Sequence, residues 1–85
     1  MNTYLVSYDL GKEPRLSYFQ MIGSIKKLGN ARKVQYSTWL VTTTMNEVEI
    51  RDQLMCLLDS NDSLLVIKVS YSPYAFYNID DSLFG

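Results

Sequence analysis

Three observations predict an α+β domain from the 85 residues of this chain. Short runs rich in β-branched and aromatic residues, at 3–9, 31–43 and 64–69, alternate with two segments whose apolar residues recur at helical spacing. Polar or glycine-containing turns separate them, so the elements fall in the order β-α-β-β-α-β. The first run, Thr3-Tyr-Leu-Val-Ser-Tyr-Asp9, is apolar on both faces until Ser7 and Asp9, which marks a central strand needing cover on two sides.

In that strand Tyr4, Val6 and Tyr8 oppose Thr3, Leu5, Ser7 and Asp9, because successive side chains alternate between faces. Leu10-Gly-Lys-Glu13 reads as a loop turning at Gly11, and Pro14 suits the first turn of a helix. Tyr18, Met21, Ile22, Ile25 and Leu28 give residues 15–28 one apolar stripe. Lys26 and Lys27 favour the negative end of that helix, and Gly29-Asn30 stops it. Gly23 costs helix propensity and points to close contact with the sheet.

Residues 31–43 form two strands broken by a tight turn or bulge at Tyr36-Ser37, with Arg32, Val34 and Tyr36 on one face and Lys33 and Gln35 on the other. Thr44-Met-Asn-Glu47 fits a capping box for a helix over about 47–58, its apolar face made by Ile50, Leu54, Leu57 and Leu58. Asp59-Ser-Asn-Asp-Ser63 is a polar turn. In the last strand Leu65, Ile67 and Val69 oppose Leu64, Val66 and Lys68. An aromatic tail, residues 70–85 with Pro73, covers a sheet edge or a partner subunit, or folds back on its own core.

This order predicts a single ferredoxin-like domain over 1–85: a four-stranded antiparallel sheet, strands one and three central, both helices on one face. The other face is left bare, with Leu5, Leu64 and Val66, and Trp39 or Leu40 according to register. Such a face argues for a homodimer packed sheet to sheet, as does the small size of the chain.

Composition narrows the chemistry. The chain has no histidine, which removes imidazole bases, imidazole metal ligands and every triad built on them. Cys56 is the only cysteine, so no intrachain disulfide forms; its apolar helical setting predicts a buried, inert thiol suited to a reducing cytoplasm. No signal or membrane-spanning pattern is present, and a soluble cytoplasmic protein is expected. The net charge of −1 hides a division, +4 over residues 1–43 and −5 over 44–85. The basic half suits phosphate; a dipolar solvated surface explains it equally.

Three segments in order, Tyr4-Leu-Val-Ser-Tyr-Asp9, then Gly29 leading to Val34-Gln-Tyr-Ser-Thr-Trp39, then Asp62-Ser-Leu-Leu-Val-Ile67, resemble the small CRISPR-associated adaptation proteins of the "Cas two" family over residues 3–69. The resemblance implies a cytoplasmic ferredoxin-like homodimer that bridges integrase subunits and holds DNA. It also implies an endoribonuclease or endodeoxyribonuclease dependent on Mg²⁺ or Mn²⁺. Asp9 matches the proposed catalytic metal ligand, contributed by both subunits, and Ser37 the hydroxyl of the middle motif. The chain departs from the family in having only Lys12 and Arg15, with Glu13 between them, after the first strand, in Trp39 replacing the usual phenylalanine, and in lacking a clear fifth strand.

Asp9 therefore has two readings, a ligand for a hard divalent ion that activates water against phosphodiesters, or the opening residue of the turn Asp-Leu-Gly. Arg15, Lys26, Lys27, Arg32 and Lys33 either contact phosphate without reading bases or form a solvated face. Tyr36, Trp39 and the tail tyrosines either stack on bases or, where they lie on strands, pack in the core. Ser37, with no base near it in the pattern, reads as a turn hydroxyl. Two classes of function follow: a nucleic-acid-holding, metal-dependent nuclease dimer, or a non-catalytic module that binds another protein through its sheet face, edge or aromatic tail.

Overall fold

The computed structural model describes residues 1–11, 15–70, 75 and 77, and for residues 15–17 the backbone alone. The readings of Lys12, Glu13 and Pro14, of the Arg15 side chain and of most of the aromatic tail lie outside the described residues. The elements are β1 (Asn2–Asp9), α1 (Arg15–Lys26), β2 (Asn30–Gln35), β3 (Thr38–Thr43), α2 (Glu47–Met55) and β4 (Ser63–Lys68). The strands form one sheet in the order β2-β3-β1-β4, with every neighbouring pair antiparallel. This is the expected βαββαβ ferredoxin-like fold with β1 and β3 central.

The alternation in β1 decides where the core lies. Tyr4, Val6 and Tyr8 are buried, as are Trp39 and Val41 of β3 on the same face. They form one cluster with Met21, Ile25 and Leu28 from the first helical segment and Ile50 and Leu54 from α2. Both helices thus cover one face. Leu10, expected in a loop, also joins this core at 3% exposure.

The opposite face carries Leu5 and Ser7 of β1, Leu40 and Thr38 of β3, and Leu65 and Ile67 of β4. The expectation for β4 is reversed here. Leu64 and Val66 pair with Tyr8 and Val6 on the helix side, so Leu65 and Ile67 lie on the open side. Alternation groups these residues correctly; only pairing register assigns a group to a face. Leu65 and Ile67 remain 52% and 47% exposed, Leu5 is half-buried, and Leu40 is buried.

Several local expectations shift. The capping box belongs to Asn46 and Glu49, two residues later than Thr44 and Glu47: the Glu49 N–H donates to Asn46 Oδ1 at 2.8 Å and the Asn46 N–H donates to Glu49 Oε1 at 3.0 Å. α2 ends at Met55, and Cys56 caps it on the exposed side, so the thiol is not buried. The helix turns Ile50 and Leu54 inward, which leaves its last residues facing out. Leu57 is on the surface and Leu58 packs partly on the core. The Tyr36-Ser37 turn is where expected, with an irregularity between Lys33 and Gln35. That bulge breaks the period of two. Arg32 faces the open side, opposite Leu40, whereas Lys33 and Tyr36 share the helix side.

Thr43 joins the elements at the far end of the sheet. Its buried hydroxyl donates to the Leu28 carbonyl at 2.7 Å and accepts the Met45 N–H at 3.2 Å, tying the end of the first helical segment to the entry of α2. At the other end the Asp62 carboxylate accepts the Gly11 N–H at 2.9 Å and the Asp59 N–H at 3.0 Å. A β-carbon at Gly11 would collide with the Asn61 backbone oxygen, so only glycine fits beneath this clamp.

Gly23 makes no close contact with the sheet; nothing lies within 4 Å of where its β-carbon would be. Its cost is therefore pure helix propensity. Gly23→Ala is expected to raise unfolding free energy by ~0.5–1 kcal/mol in a denaturant titration. Gly11→Ala is expected to lower it, because the clamp must shift to admit the methyl group.

Candidate functional site

Asp9 is the last residue of β1, exposed, and on the open face. It pairs across the ladder with Ser63, and Ser7 lies one step back on the same face. With Tyr8, Leu64 and Leu65 these residues line a shallow concavity of about 170 Å³. Asp9 is held from behind, since its strand continues into Leu10 in the core and Gly11 under the Asp62 clamp. The site thus presents one carboxylate and two hydroxyls, all hard oxygen donors. Among the described residues no three His, Cys, Asp or Glu side chains gather. One chain therefore does not make an all-protein metal cage. A Mg²⁺-type ion fits only if waters, phosphate oxygens or a second Asp9 complete its shell.

The five candidate cations do not form one patch. α1 runs from the Asp9 end of the sheet to the opposite end, so Arg15 begins it and Lys26 closes it, ~16 Å away along the axis. Lys27 follows in the turn and is exposed. Arg32 projects from the open face of β2, and Lys33 from its helix side, nearer the Asp9 end. The one ion pair among the described residues, Arg51 with Asp52, involves none of these five cations.

On the helix side of the Asp9 end lies an aromatic group that the sequence reading only partly anticipates. Tyr8 and Tyr18 have ring centroids 6.1 Å apart, and Tyr18 and Tyr36 5.4 Å apart. Lys33 Nζ sits 5.4 Å from the centre of the Tyr36 ring. Trp39 is core, at 4% exposure, and Tyr36 is surface, at 69%. Of the stacking candidates, Tyr36 is exposed on the hairpin and Tyr77 is exposed in the tail at 86%; the other tail tyrosines lie outside the described residues. The link of Tyr36 to Tyr18 depends on the β2 bulge and on where α1 lies, neither of which periodicity reveals.

Burial pushes the Tyr8 phenol above its ordinary value of 10.0; the nearby Trp39 indole N–H opposes this, and Tyr18 and Tyr36 add to the rise. Neither the Tyr8 hydroxyl nor the Trp39 Nε1–H closes a hydrogen bond of good geometry. The Trp39 N–H acts on Tyr8 by proximity only. Ser37 sits in the hairpin turn, and its carbonyl accepts the Tyr8 N–H at 3.1 Å, a structural role.

A two-layer ferredoxin-like domain with one sheet face that neither helix covers and a carboxylate at the end of its first strand defines the class. Two solved structures share the architecture. A hypothetical protein from Thermus thermophilus superposes with a TM-score of 0.72 at 20% identity, covering 93% of this chain and 94% of that one. Cas2 from Streptococcus pyogenes superposes with a TM-score of 0.66 at 24% identity, covering 82% and 88% respectively. The fold is Cas2-like. No protein-family profile matches the sequence. Among the described residues no helix is long and apolar enough to cross a membrane.

The raised value of Tyr8 gives stability a sign with pH. The unfolded chain releases this proton at about 10.0, before the folded chain does. The contribution is therefore complete below that pH and is lost as pH rises through the higher folded value. Tyr8→Phe is expected to lessen the alkaline loss of melting temperature as pH rises above about 10. At neutral pH it should change stability by less than ~1 kcal/mol, since it removes a hydroxyl that has no partner.

Proposed function

We propose that this chain works as a cytoplasmic homodimer that holds nucleic acid, as a CRISPR adaptation-type protein does, with an integrase subunit as its larger partner. In this reading Asp9 is the metal ligand and catalytic residue of an endonuclease dependent on Mg²⁺ or Mn²⁺. The observation that carries it is the position of Asp9: exposed, at the end of a central strand, on the one apolar face that the helices leave uncovered. Two copies meeting across that face around a two-fold axis would bring two Asp9 carboxylates toward each other. The Cas2-like fold supports the same reading.

Each protomer would supply its Asp9 carboxylate, with the Ser7 and Ser63 hydroxyls beside it. A bound divalent ion would contribute the acidity that makes water a nucleophile near neutral pH. The chain's own residues orient the phosphodiester. Arg32 projects from the same face as Asp9 and can meet a phosphate there, while Lys26, Lys27 and Lys33 lie on the other side of the molecule. Arg32 and, on the helix side, Lys26, Lys27 and Lys33 suit a backbone that runs around the domain, with contacts to phosphate and none to base edges, and Arg15 at the start of α1 is proposed to join them.

Wild type and Asp9→Ala, incubated with Mg²⁺ or Mn²⁺ on RNA and on DNA, test the catalytic half. Cleavage that EDTA abolishes is expected. Asp9→Ala should lower it by at least the ~10–100-fold that outer-shell partners of a metal already cost. Cleavage unchanged in Asp9→Ala contradicts the assignment. The binding half is read from salt. Each phosphate-contacting cation replaced by alanine should reduce the slope of log affinity against log salt by about 0.9 on duplex DNA. A chain with neither activity is instead the non-catalytic interaction module that the open apolar face also suits.

A further inference from the structure

On the helix side of the sheet, Tyr18 and Phe19 of α1, Ile22 one turn further, and Lys33 and Tyr36 of the hairpin line a concavity of about 240 Å³. Two of its aromatic side chains are largely exposed, Phe19 at 64% and Tyr36 at 69%. Exposure of that size on neighbouring rings sacrifices burial that a small domain can ill spare. The rings are also placed firmly. Tyr36 sits on a two-residue turn braced by the Ser37 carbonyl and packs on Tyr18, which packs on buried Tyr8. The cation at the rim, Lys33, holds its ammonium over one face of the Tyr36 ring, 5.4 Å from its centre.

We propose that this concavity is a stacking site for a single unpaired nucleobase, with the adjoining phosphate held by Lys33. Two exposed rings, Phe19 and Tyr36, with a mobile-stemmed ammonium over the second match the two parts of a nucleotide, the π-surface of the base and the charge of its phosphate. The occupant is single-stranded, because bases within a duplex already stack on their neighbours and present no free face. The site lies on the opposite side of the sheet from Asp9, yet at the same end. A strand emerging from the end of a held duplex can thus lodge its first free base here. This rests on the nucleic-acid reading above and names the form of substrate it takes.

The test is a fluorescence titration of the full-length protein with a single-stranded oligonucleotide carrying 2-aminopurine, beside a fully paired duplex of the same sequence. Quenching of the single strand is expected. Tyr36→Ala and Phe19→Ala should weaken it on the order of tenfold while leaving duplex affinity unchanged, and Tyr36→Phe should keep it. The loss should persist at high salt, where phosphate contacts fade. Single-strand affinity unchanged in Tyr36→Ala, or an equal loss on duplex, overturns the site while the nucleic-acid reading stands. Wild type that binds neither form overturns both. An acidic, tryptophan-bearing peptide bound through Tyr36 when no oligonucleotide binds assigns the concavity to a protein partner and likewise overturns the proposal.

Discussion

The structure depends on the alternation of side chains along β1. Tyr4, Val6 and Tyr8 meet both helices and make the core continuous from one end of the sheet to the other. Leu5, Ser7 and Asp9 point the other way, onto a face that neither helix covers. A strand paired on both edges has no freedom to rotate one set without the other, so burying the first set fixes the exposure of the second. The Asp9 carboxylate is therefore placed by the same packing that holds the fold together.

Tyr8 and Asp9 are neighbours in the chain but serve opposite sides of the molecule. Tyr8 supports the aromatic group through Tyr18, and Asp9 opens onto the concavity with Ser7 and Ser63. The end of β1 thus presents a carboxylate on one face and a phenol on the other. The Asp62 clamp steadies that end, because its two hydrogen bonds join the exit of β1 to the turn before β4. Charge is distributed to match. Arg32 and Lys33, adjacent on β2, face opposite sides in the same way.

Much of the architecture was legible in the residues. The β-formers from Thr38 to Thr43 and the break at Tyr36-Ser37 are local signals that lie where they were read, and helical spacing places α1, which ends at Lys26, two residues short of Leu28. What was misread depends on contacts distant in sequence. The side of the sheet taken by Leu65 and Ile67 is set by pairing with Leu5 and Ser7, and the place of Tyr36 by a bulge two residues earlier. The α2 cap moved from Thr44 to Asn46 because two overlapping sets of capping residues lie in one stretch. Cys56, apolar in context, is exposed because α2 ends one residue before it. For the site, Asp9 was visible as a carboxylate ending a strand. The Lys33–Tyr36–Tyr18 group was not, since it assembles from two elements that no sequence period connects.

The proposed dimer requires the sheet face that neither helix covers to meet its own copy, and sedimentation equilibrium tests this most directly. Wild type should sediment at twice the 9.8 kDa of one chain at micromolar concentration. Ile67→Glu, which places a charge at an exposed position on that face and leaves the helix-side core intact, should sediment as a folded monomer. A monomeric wild type, or a dimer that Ile67→Glu leaves unchanged, would contradict it.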